Sequence, residues 1–150
     1  VYNEIPFKFE AGTLNIASII AFTKSIQFIQ KFRTKIIIQE KNLLNYTLQN
    51  LKKIKEIQLL GNTNEKNKIG IISFTHKKIH AHDFGTLLNA HGIAVRTGHL
   101  CCLPLLKHYK KNAITRISLG AYNNYLDIKK FLIVLKNILY TFNNKKIYLS

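Results

Sequence analysis

Within residues 93–109 the chain must pass from an extended run through a glycine-bearing turn to a proline-started helix, and both of its cysteines fall in that turn. The stretch Arg96-Thr97-Gly98-His99-Leu100-Cys101-Cys102-Leu103-Pro104 therefore fixes where chemistry can sit. The apolar run 93–95 reads as a short buried strand, and Pro104 suits the first position of a brief helix running towards Tyr109. Cys101 and Cys102 then lie just ahead of a helix N-terminus, with Arg96, His99 and Lys107 as nearby cations. Such surroundings favour thiolate over thiol, which describes a nucleophile.

Three other readings use the same residues. A disulfide between neighbours is poor geometry, because Cα atoms across a trans peptide stand about 3.8 Å apart, below the usual disulfide span. A metal site from His99, Cys101, Cys102 and His108 lacks the paired Cys-x-x-Cys spacing of zinc motifs. Two buried thiols acting as small hydrophobes remain a common fate for cysteine, although the glycine, the proline and the cations favour a partly exposed loop.

Taken in order, residues 7–10 read as extended, and an apolar helical pattern spans 15–31. Thr13 stands near that helix start, as a cap or, through the same N–H groups, at an anion site. A second helix is expected over 35–53, with Ile37, Leu44, Leu48 and Leu51 as one core stripe. Strand candidates follow at 57–60 and 69–75, separated by an exposed polar loop over 63–68. The next helix covers 82–91 with Gly92 as its stop. His80 and His82 read as solvated or capping.

After the cysteine turn, residues 114–119 alternate so that Arg116 and Ser118 share one strand face and Ile117 and Leu119 the other. Arg116 can then point at a site, where its planar guanidinium suits a carboxylate better than a lysine does; the alternative is a surface ion pair. The last helix begins near Asn124 and carries Ile128, Phe131, Leu132, Leu135, Ile138, Leu139 and Phe142 at helical spacing, with a tail after Asn143. The order predicts an α+β fold, a small sheet packed against helices, as one domain over 1–150.

The net charge of +16 raises nucleic acid or an acidic membrane as partners. Its distribution argues against both: the basic residues are almost all scattered lysines, with arginine only at 33, 96 and 116, and no basic stripe interleaves with aromatics. Abundant Ile, Lys, Asn, Phe and Tyr are also what A/T-rich codons produce. The longest apolar run, 16–22, is too short for a bilayer, which needs about 20 residues. Two thiols without a disulfide framework suit a reducing compartment, and the expectation is a cytoplasmic protein. Without methionine, and with Val1 first, the chain is expected to be a fragment of a longer one.

The run RTGHLCCLPL resembles the active-site cysteine loop, R-T/A-G-H-H-C-A-x-P-L, of the group II (SUF-type) cysteine desulfurases, members of the class V aminotransferases. Phe9 to Asn15 is similar to that family's FEAGTPN. Arg116-Ile117-Ser118-Leu119 with Tyr122-Asn123 is similar to its RASLxxYN. The resemblance covers residues 7–143 and implies the C-terminal small domain of fold type I enzymes dependent on pyridoxal phosphate. It implies that Cys101 carries a persulfide, that Arg116 binds the carboxylate of L-cysteine with Arg96 at the site's entrance, and that Thr13 touches the cofactor phosphate of the partner subunit. It also implies a homodimer that turns L-cysteine into L-alanine and passes sulfur to an acceptor protein for iron–sulfur assembly. The cofactor's lysine belongs to a large domain ahead of Val1, so these 150 residues alone are expected to lack turnover. The alternatives are a degraded or separately encoded domain without catalysis, and a basic nucleic-acid or metal-binding module. Leu14, Leu100 and Cys102 depart from the family's proline, second histidine and alanine.

Overall fold

The computed structural model describes residues 2–64 and 67–144, so Glu65 and Lys66 of the polar loop and the tail beyond Asn144 lie outside the described residues. The chain forms two compact units, the first ending at Ile36 and the second starting at Ile37.

In the first unit a short 3-10 turn, Phe7–Phe9, leads to α1, Ile16–Lys52, which continues into the second unit. One helix thus replaces the two expected over 15–31 and 35–53: Phe32, Arg33 and Thr34 include no glycine or proline, and nothing ends the hydrogen-bond ladder there. Asn15 Oδ1 accepts the N–H of Ser18 at 3.2 Å, so Asn15 rather than Thr13 caps the helix. Thr13 is exposed, as are Ile19, Ile20, Phe22 and Phe28 of the first half of α1.

The second unit follows with β1 (Ile57–Leu60), β2 (Ile71–His76), α2 (Ala81–Ala90), β3 (Arg96–Gly98), α3 (Leu103–His108), β4 (Ile114–Ser118) and α4 (Tyr125–Asn144). The four strands form one antiparallel sheet in the order β1-β2-β4-β3. This is the expected α+β arrangement. One sheet face carries Ile72, Phe74, Ile117 and Leu119 into the main core. Leu44, Leu48 and Leu51 of α1, Phe84 and Leu88 of α2, and the α4 stripe from Ile128 to Leu139 complete it. Each such side chain gains about 1.5–3 kcal/mol on leaving water. Two predicted core positions fail: Ile37, ahead of the first buried position of α1 at Leu43, is 41% exposed, and Phe142, in the last turn of α4, 40%. The opposite face holds a smaller cluster of Leu60, Leu106 and Ile114.

The expected strand over 93–95 is absent, and pairing begins at Arg96 instead. The reason is the end of α2. Gly92, at φ 69°, lets its own N–H reach the carbonyl of Asn89 (2.9 Å) and the N–H of Ile93 reach that of Leu88 (3.0 Å), closing the helix. Ile93 has then given its donor to α2, and it and Val95 pack on the core as partly buried side chains. Among the described residues no helix is long and apolar enough to cross a membrane.

Candidate active site

Antiparallel pairing places directly opposed side chains on one face of a sheet. Leu60 opposes Ser73, Ser73 opposes Arg116, and Arg116 opposes Arg96, giving a row across the face turned away from the main core. The two arginines named from the sequence are therefore cross-strand neighbours. Ser73 was missed: the alternation of its strand is visible, but its partners are set by the sheet order, which is not.

From Arg96 the chain runs along β3 into a tight turn. The N–H of Cys102 donates to the carbonyl of His99 at 3.0 Å, closing a four-residue turn whose central residues, Leu100 and Cys101, have φ of 54° and 57°. Both lie in the left-handed region, the arrangement of a type I′ turn, where asparagine and glycine are the usual occupants. His99 organises the turn a second time, its Nδ1 accepting the N–H of Cys101 at 3.1 Å. In the neutral ring the proton is then on Nε2.

The turn separates the two thiols. Cys101 is exposed, and its Sγ accepts from Nη2 of Arg96 at 3.6 Å. Cys102 is half-buried against the Leu60, Leu106 and Ile114 cluster, and its thiol donates to the His99 carbonyl at 3.1 Å. Pro104 lies in the first turn of α3 as expected, whereas Lys107 sits in that helix's last turn, at the end away from the cysteines. Among the described residues no three His, Cys, Asp or Glu side chains gather as metal ligands.

Arg116 is partly buried, and its Nε is enclosed with no hydrogen-bond partner. Among the described residues no carboxylate forms an ion pair with Arg96 or Arg116. Two adjacent guanidiniums, one with an unused donor and the other bonded to an exposed thiol, make a place that can hold a small anion. Tyr122 is 85% exposed, and Asn123 is structural: its Oδ1 accepts the Gly120 N–H at 2.8 Å and its amide donates to Asp127 Oδ2 at 3.2 Å, closing the turn into α4. Asn124 caps that helix through the N–H groups of Leu126 (2.7 Å) and Asp127 (3.3 Å).

The chain is 39% identical over 132 residues to a cysteine desulfurase of Wigglesworthia glossinidia brevipalpis, covering 87% of this chain and 32% of the relative. It is 35% identical over 138 residues to the cysteine desulfurase of Shigella flexneri, covering 91% and 33%. It spans about a third of the length of these curated relatives. Among solved structures, an apo cysteine desulfurase from Thermococcus onnurineus NA1 superposes with a TM-score of 0.84 at 34% identity, over 91% of this chain and 34% of that one. The cysteine desulfurase CsdA of Escherichia coli shares the fold, with a TM-score of 0.83 at 23% identity over 93% and 34%. The model of the aminotransferase class-V family matches residues 1–131, and the chain belongs to that family.

Proposed function

We propose that this chain supplies the thiol-bearing, substrate-recognising part of a cysteine desulfurase, which converts L-cysteine to L-alanine and carries the sulfur as a persulfide for iron–sulfur assembly. The observation that carries the reading is the grouping of Arg116, Arg96 and the exposed Cys101 on one side of the sheet, with Arg96 Nη2 3.6 Å from the Cys101 sulfur.

In this reading the substrate carboxylate takes the unpartnered Nε side of Arg116, with Arg96 adding charge at the edge strand. Arg96 also donates to the Cys101 sulfur, and His99 holds the turn so that the thiol faces outwards. The substrate sulfur forms a bond to Cys101 Sγ as its bond to carbon breaks, and the terminal sulfur is then passed to an acceptor protein. Pyridoxal phosphate, when bound, supplies the electron sink that weakens bonds at the substrate's carbons. Thr13, exposed and outside the Asn15 cap, is taken to touch the cofactor phosphate of the partner subunit. The lysine for that cofactor belongs to the complete enzyme, which we take to be a cytoplasmic homodimer of group II type.

The test separates the two cysteines. In the complete enzyme Cys101→Ser is expected to abolish sulfur transfer, while Cys102→Ser, whose thiol is packed against Leu106, keeps most of it. Mass spectrometry after one turnover should find the extra sulfur on Cys101; finding it on Cys102 would overturn the assignment.

A further inference from the structure

The opposite face of β4 carries a second set of unused polar groups. Thr115 opposes Phe74 on the core side of the sheet and is 1% exposed, yet its hydroxyl has no hydrogen-bond partner. His76, two residues beyond Phe74 and on the same face, has an enclosed Nε2 that is also without a partner. Both line one cavity of about 110 Å³, together with His80, Ala81, Phe84 and Lys111 among others.

The protonation of His76 follows from its other nitrogen. Nδ1 accepts the N–H groups of Lys78 (3.1 Å) and Ile79 (3.0 Å), so the neutral ring carries its proton on Nε2 and that atom is an unused donor. His80 Nδ1 likewise accepts the His82 N–H at 3.2 Å, which leaves its proton on Nε2. His80 is the N-cap of the ten-residue α2, and Ala81 opens the helix in the cavity wall. The positive end of the α2 dipole faces this region, and Lys111 adds a full charge. No carboxylate is among the described lining residues. Glu56 acts on His76 through space and Asp83 stands in the first turn of α2, but neither lines the wall.

We infer that this cavity is a binding site for a small inorganic oxyanion, held by His76 Nε2–H and the Thr115 hydroxyl beside the start of α2, with Lys111 supplying charge. The cavity has room for a tetrahedral oxyanion, which can reach several of these donors at once. The inference stands apart from the sulfur chemistry, since Thr115 and Arg116 leave β4 on opposite faces.

Titration of the full chain, labelled with 15N-histidine, with sodium sulfate and with sodium phosphate at constant ionic strength tests it. The expected result is a saturable shift of the His76 Nε2 resonance with at least one of the two ions. Thr115→Val and Lys111→Gln should each weaken the apparent affinity, by about tenfold for loss of one hydrogen bond to a charged group. Should Thr115→Val not fold, Lys111→Gln decides alone. A shift that never saturates with either ion, or saturation untouched by the substitutions, would mean that only water fills the cavity and would overturn the inference.

Discussion

Leu100 and Cys101 sit in a backbone region that costs an L-residue roughly 1–2 kcal/mol each, and the turn keeps them there through two hydrogen bonds to His99, one to its carbonyl and one to its ring. The conformation lifts Cys101 into solvent and turns Cys102 towards Leu106. The cysteine pair was legible in the sequence as a turn ahead of a helix, but the different fates of the two thiols were not, because the cluster that receives Cys102 comes from β1, α3 and β4. Arg116 was legible through the alternation of its strand. Its pairing with Arg96 was not, since that depends on register. On the proposed function, Arg116→Lys keeps the charge and loses the planar fork, so KM for cysteine should rise, by about tenfold for one lost charge-assisted hydrogen bond, with cofactor loading unchanged. Steady-state kinetics with an unaltered KM would remove Arg116 from carboxylate recognition.

Among the helices, α2 packs against the site's edge strand. Gly85 faces Thr97 of β3, and a Cβ there would stand 2.9 Å from Thr97 Cγ2, a branched atom with no freedom to swing away. Alanine at a helix-interior glycine ordinarily gains up to about 1 kcal/mol. Overpacking costs typically 1–3 kcal/mol, so the clash should win. Gly85→Ala is expected to lower the urea midpoint and to change the alkylation rate of Cys101, because β3 carries Arg96 into the turn; a stabilised variant would show that α2 can give way. The helices and strands themselves were mostly readable from periodicity. The failures have local causes: no residue breaks α1 near Phe32, and the closing hydrogen bonds of α2 take Ile93 out of the sheet.

For the molecule as a whole, the α+β class followed from element order, while the strand order β1-β2-β4-β3 did not, because no local residue encodes which strand lies next to which. Global stability should depend on pH in two windows. The Asn124 backbone N–H and the Asn123 amide hold the Asp127 carboxyl below its ordinary 3.8, with Lys130 adding to this. Its contribution is complete above that value and lost as pH falls through the lowered one, so the acid side of a denaturation profile should flatten in Asp127→Asn. Burial lowers His76 below its ordinary 6.5, assisted by Lys78 and opposed by Glu56. The unfolded chain takes up this proton first, so stability should decline as pH falls from 6.5 towards the lowered value. Urea midpoints measured between about pH 2 and 8 check both, and a profile flat across these windows would contradict the assignments. The two faces of β4 have one more consequence. Were the strand to slip by a single residue, Arg116 would enter the hydrocarbon core and Ile117 would take its place. Burying an unpaired guanidinium costs a large share of the few kcal/mol that hold any domain together. Folding thus proofreads the site: a molecule with its guanidinium on the wrong side does not persist as a folded one, and every chain that reaches the native sheet arrives already armed.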